Sequence, residues 1–178
     1  MVVGLLTSIV IILFVLAALL IPVRWRVKET ADLNISLFDS YESLLNLKNW
    51  PRWQMDENTA IPFMYVGPER GEGASQYWEI EGVPASLKIS RCVPGISIHY
   101  QMRINKGETV LRFVIFFSEN HGCSTTLTWV CEGTTKKNPF ERYLTFYYKW
   151  KMGQEMKAAL FRLKKIYEPQ SIELKQPA

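Results

Sequence analysis

The amino-acid sequence predicts an α+β domain, an antiparallel sheet closed by one long C-terminal helix, behind a single N-terminal transmembrane helix. Three observations predict it. The first 23 residues carry no charged side chain. From residue 62 to 133, short alternating segments are separated by turn residues, and from 138 to 167 apolar residues recur at helical spacing.

The run 9–21 is nearly all aliphatic. At about 1.5 Å per helical residue, the segment 1–23 is long enough to cross a hydrocarbon core of about 30 Å. A cleaved secretory signal would show a positive leader, a shorter apolar stretch and a small-x-small site. Here no Lys or Arg precedes the run, and bulky Leu19, Leu20 and Ile21 stand where cleavage would fall. The segment is therefore expected to be a retained anchor. Arg24, Arg26 and Lys28 follow it directly, which places the globular domain on the cytoplasmic face of the cell membrane with a short N-terminus outside. Trp25 suits the interfacial belt.

Residues 24–168 suit one domain with one core, and the polar stretch 169–178 reads as a frayed tail. Net charge is +4 with a pI of about 8.9, yet Lys and Arg are scattered or gathered beside the anchor instead of forming a long basic stripe. That pattern argues for the lipid bilayer as partner and against nucleic acid. Cys92, Cys123 and Cys131 have no CxxC or metal-ligand spacing. Cys123 and Cys131 share a predicted strand, where eight residues span about 26 Å, too far for a disulfide. Reduced core thiols are expected, with no metal and no cofactor.

The globular part begins with an alternating strand, Val23 to Lys28, continued at Asp32 to Ile35. Ser36 or Asp39 can cap a helix whose Phe38, Tyr41, Leu44 and Leu45 fall at helical spacing, and Pro51 ends it. Strands are then predicted at 63–66, 73–81, 85–93, 96–104, 109–118 and 123–133, joined by turns short enough for an antiparallel meander. Period-two reading puts Trp78, Leu87, Ile89, Tyr100, Phe113 and Trp129 on one face and mostly polar residues on the other. Such a face needs a cover. The last helix supplies it: Asn138 is a good N-cap, Pro139 suits the first position, Glu141 completes a capping box, and Pro169 follows the end.

Several local motifs occur in a telling order. They are Leu47-Lys48-Asn49-Trp50-Pro51-Arg52-Trp53, Gly71-Glu72-Gly73-Ala74, Thr126-Leu127-Thr128-Trp129-Val130-Cys131-Glu132-Gly133 and Leu163-Lys164-Lys165-Ile166-Tyr167-Glu168. With them, residues 24–168 resemble the START-like, SRPBCC superfamily, in particular its membrane-anchored, polyketide-cyclase-like bacterial members. One departure is Ser36-Leu37-Phe38-Asp39, where the family carries an Ala-Pro pair. The resemblance implies a helix-grip fold, a curved antiparallel sheet around the long C-terminal helix, with an apolar cavity that binds a hydrophobic small molecule or lipid. The candidate lining in this sequence is Trp53, Trp78, Tyr100, Phe113, Trp129, Tyr143 and Tyr147.

Strict alternation from Leu87 and Ile89 also points Arg91 inward, where it could orient an acidic headgroup; a bulge would return it to water. The aromatic run from Tyr143 to Trp150 is wider than one buried stripe, so Phe146, Tyr148 or Trp150 face either the bilayer or the small helices. Catalysis finds little support. His99 and His121 read as surface residues, Glu79, Glu81 and Glu132 as solvent-facing, and no nucleophile–base arrangement is recognisable. The expected function is therefore binding without catalysis. A polyketide cyclase or dehydratase, or a membrane-tethered interaction module with an unknown protein partner, stands as the alternative.

Overall fold

The computed structural model of the chain describes residues 2–55, 61–120, 124–136 and 138–168, the side chains of 2–5 and 7 excepted. The elements run α1 (Val2–Leu20), β1 (Arg24–Leu33), α2 (Leu37–Leu45), a 3-10 turn (Leu47–Asn49), α3 (Pro51–Gln54), β2 (Met64–Val66), β3 (Ser75–Ile80), β4 (Val83–Val93), β5 (Ser97–Ile104), β6 (Thr109–Asn120), β7 (Ser124–Thr134) and α4 (Pro139–Tyr167). The seven strands form one antiparallel sheet in the order β1-β7-β6-β5-β4-β3-β2.

The two alternating stretches after α1 join into one ten-residue strand, because β1 pairs with β7 along its whole length, from Arg24 opposite Thr134 to Leu33 opposite Thr125. Trp25, Val27 and Leu33 are buried on its inner side, while Arg24, Arg26 and Lys28 face out. Trp25 lies on its cross-strand partner Gly133, where a Cβ would collide with the indole ring. The close approach is what requires glycine there.

Ser36 is the cap of α2: its Oγ accepts from the Asp39 N–H at 3.1 Å and donates to the Asp39 carboxylate at 2.6 Å. The following turn buries Trp50 completely, and its indole N–H donates to the Leu44 carbonyl at 2.9 Å. Pro51 then starts α3 at the position where a missing N–H is harmless. At α4 the Asn138 side chain accepts from the Phe140 N–H at 3.0 Å, as an N-cap should.

Within α4 burial is uneven. Gly153, Met156, Ala159, Leu160 and Leu163 are buried against β1 and α3, whereas the first half buries only Thr145. That first half runs alongside α1. Tyr143 stacks on Phe14 with centroids 4.4 Å apart, and its hydroxyl donates to the Phe14 carbonyl at 2.8 Å. The Arg142 guanidinium donates to the carbonyls of Ala18, Leu19 and Ile21, closest at 2.7 Å to Leu19. A cation at a helix C-terminus, satisfying carbonyls that have no partner within the helix, is favourable on both counts.

The helix expected over 1–23 is shorter than that: α1 has 19 residues, about 28 Å of rise, and the chain leaves it through Ile21-Pro22-Val23 into β1. Among the described residues no helix is long and apolar enough to cross a membrane, so the structure does not show the spanning anchor. Cys123, His121 and the tail 169–178 lie outside the described residues.

Gly133→Ala should destabilise the domain by about 1–3 kcal/mol through overpacking against Trp25. Denaturant unfolding measures it, and in a Trp25→Leu background the same change should lose most of its effect.

Candidate functional site

Five aromatic side chains from four elements meet on the inner face of the sheet. Tyr100 and Phe113 are register partners on β5 and β6, and their rings stack with centroids 4.7 Å apart and planes 3° apart. Trp129 on β7 lies beside Phe113 at 5.9 Å, and its indole N–H donates to the Tyr100 hydroxyl at 2.9 Å. From above, Trp53 of α3 meets Trp129 edge-on at 5.3 Å, and Trp50 meets Tyr100 edge-on at 4.8 Å. All five rings are buried. Edge-to-face and offset contacts of this kind match the ring quadrupoles, which adds to the area buried.

The electrostatics of this cluster suppress chemistry. Burial holds the Tyr100 phenol well above its ordinary 10.0, Cys131 adds to the rise, and the hydrogen bonds with Trp129 and Gln54 pull the other way without cancelling it. Burial, then the Glu132 charge, pushes the Cys131 thiol up to about 12. Cys92 is raised by burial and by Glu72, against a lowering hydrogen bond with Tyr41. All three groups are held neutral and protonated near pH 7, the opposite of what a nucleophile or base requires. Among the described residues no group of three His, Cys, Asp or Glu side chains could hold a metal ion.

Three polar atoms on the inner side of the sheet lack a partner among the described residues, and one is the Trp25 indole N–H at the Gly133 contact. The Trp53 indole N–H and the Gln76 carboxamide oxygen are both buried, and neither makes a hydrogen bond among the described residues. Gln76 is only 3% exposed and sits opposite Leu87 on the apolar face. Period two from Trp78 points to it directly, so the signal was present. Gln54 and Trp50 carried no periodic signal, because they lie in short turns. Glu29 is also on the inner side of β1, between Val27 and Ala31, with Lys157 of α4 at 4.0 Å.

The structure brings Trp53, Tyr100, Phe113 and Trp129 into one cluster and leaves the other candidates outside it. Trp78 is half-buried at the rim, beside Phe63 with centroids 6.0 Å apart. Arg91 is exposed: the β4–β5 register shifts between Ile89 and Arg91, and that bulge turns the side chain out. Tyr143 packs on α1 as described, and Tyr147 is half exposed beside Tyr148 and Trp150. Helical spacing identified a face of α4 but not what that face meets. His99 lies in the sheet beside Ser97 at 3.1 Å, and Glu79, Glu81 and Glu132 are exposed.

Clefts are found elsewhere. One of about 550 Å³ lies over Tyr77, Lys88 and Arg103 on the outer face, one of about 420 Å³ over Arg24, Arg26 and Arg112, and one of about 160 Å³ between Ser43, Arg52 and Tyr167. The smallest of the three reaches Trp53 of the cluster, and none of them is lined by Tyr100, Phe113 or Trp129. The rings fill the space that a cavity at this level would occupy.

No family model matches the sequence, and no curated protein does. Solved structures do match. Protein CV1439 from Chromobacterium violaceum has a TM-score of 0.56 and 17% identity over 81% of this chain and 97% of that one. CalU16 from Micromonospora echinospora has a TM-score of 0.55 and 17% identity over 81% and 76%. Ara h 8.0201 has a TM-score of 0.55 and 13% identity over 79% and 98%. The chain has the helix-grip fold. At these identities the likeness concerns shape, and it agrees with the α+β order, the single seven-stranded sheet and the long C-terminal helix.

Tyr100→Phe should remove the acceptor of the Trp129 N–H and destabilise the domain by about 1–3 kcal/mol, read by denaturant unfolding. The raised thiol and phenol also set a pH dependence. Because the folded values lie above the unfolded ones, the stability they contribute is complete below the unfolded thiol's 9.0 and is lost as pH rises toward about 12. Unfolding curves between neutral and strongly alkaline pH should therefore show falling stability, with a shallower fall in Cys131→Ala.

Proposed function

We propose that this chain is a membrane-tethered helix-grip module that takes up a hydrophobic small molecule or lipid between the inner face of the sheet and the helices above it, without covalent chemistry. The observation that carries the reading is the unpaired buried pair, the Trp53 N–H and the Gln76 carboxamide oxygen. Each leaves a desolvated polar atom unsatisfied, at about 1–3 kcal/mol. An amphipathic ligand carrying a hydroxyl or carbonyl can satisfy one or both, with its apolar body against the rim. That rim is apolar and incompletely covered: Trp78, Met102 and Ile104 are half-buried and Ile80 is exposed. The aromatic cluster then forms the floor of the site. Its fold neighbours CalU16 and Ara h 8.0201 support a ligand-binding reading of the scaffold only as an analogy of shape.

The tether is supported by the charge-free stretch 1–23 and by the surface around it. Leu13, Leu16 and Leu20 of α1 are more than half exposed, and so are Phe140, Phe146 and Trp150 on the adjoining half of α4. A continuous apolar surface of this kind calls for a non-aqueous neighbour. Arg24, Arg26 and Lys28 favour the cytoplasmic side for the domain.

Native mass spectrometry of the full chain released from nanodiscs should find a co-purifying apolar molecule, and Trp53→Phe or Gln76→Leu should lower its retention by about tenfold. Recovery of empty protein from every preparation would end this reading. Alkaline carbonate extraction should leave the full chain in the membrane pellet; release into the supernatant would remove the tether.

A further inference from the structure

We propose that the cleft of about 420 Å³ on the outer face of β1, β6 and β7 is a binding site for the headgroup of an anionic glycerophospholipid. It is lined by Arg24, Arg26, Arg112 and Glu132, with Val110 and Thr134 at the strand ends. Three guanidinium groups face one carboxylate. Glu132 is engaged by Arg26 at 3.5 Å, and no ion pair is found for Arg24 or Arg112 among the described residues. Both of these are exposed, on alternate strands of a rigid ladder in which Arg112 and Arg26 flank Glu132 in register. Arg24 and Arg112 thus flank β7 from its two sides and line the same cleft with two unneutralised planar forks, donors that phosphate oxygens accept.

Position selects the source of the phosphate. Arg24 is four residues past the end of α1, at most about 13 Å of chain, so the cleft opens at the end of the sheet from which α1 leaves. The exposed Phe140, Phe146 and Trp150 belong to the half of α4 that lies against α1. Apolar surface and basic cleft therefore share one end of the molecule. This is the order of layers that a leaflet presents, acyl chains and then phosphates. Val110 adds apolar wall for the glycerol end. The lipid bound here is a different ligand from the one on the inner face, since the sheet separates the two.

The proposal rests on the tether, and the experiment separates their failures. The full chain is reconstituted in nanodiscs of phosphatidylcholine with phosphatidylglycerol and released for native mass spectrometry. The unaltered chain should retain phosphatidylglycerol in preference, and Arg24→Gln or Arg112→Gln should each lower that preference by about fivefold. Arg112→Lys should fall between, and Lys88→Gln, on the outer face but outside the cleft, should leave it unchanged. No preference in the unaltered chain, or an equal one in Arg112→Gln, overturns the site. Thermal protection of the detergent-solubilised chain by inorganic phosphate alone, equal to that by phosphatidylglycerol, overturns the lipid assignment. Flotation with phosphatidylcholine vesicles reads the tether by itself: Arg112→Gln that floats without the preference supports the site, and an unaltered chain that fails to float overturns the tether and this proposal with it.

Discussion

The Trp129 indole N–H reaches the Tyr100 hydroxyl at 2.9 Å, and the packing of four elements depends on that bond being satisfied. It fixes the tilt of two large rings on β5 and β7; Phe113 of β6 lies against both, and Trp53 and Trp50 close the cluster from the helical side. Were the N–H left bare, the interior would hold a desolvated donor among aromatic carbons, so packing and polar satisfaction are solved together. The same cluster explains why the inner face is chemically quiet. Rings that exclude water also raise the phenol and thiol beyond any working range.

The outer face follows opposite physics. There alternation leaves Arg24, Arg26 and Arg112 in water, where charge persists and long-range attraction operates. One sheet therefore separates a dry aromatic cluster on its inner side from exposed guanidinium groups on its outer side.

Much of this was legible in the sequence. Period two located the meander strands and their inner faces, and Asn138-Pro139 and Ser36 marked helix starts, because these signals depend on neighbours a few residues away. What was not legible depends on geometry between distant segments. The bulge after Ile89 is a register shift between two strands, and it reverses Arg91 while leaving the composition of β4 unchanged. Tyr143 falls on a helical stripe whose partner is α1, and Tyr147 is left half exposed beside Tyr148 and Trp150; no spacing within α4 could distinguish either from a place over the sheet. The anchor was read from the absence of charge, which does not report where the helix stops; Pro22 and the start of β1 do.

α4 ends each of its two arms on another helix's carbonyls. Arg142 holds those closing α1, and Arg162 donates to the Trp53 and Gln54 carbonyls closing α3, at 2.9 and 3.1 Å. Twenty residues of continuous helix separate the two, a stiff rod of about 30 Å. The rod is also clamped between its two pins, since Gly153, Met156, Ala159 and Leu160 are buried against β1 and α3. One helix therefore holds the end of α1 and the backbone that aims the Trp53 indole into the sheet at a fixed spacing.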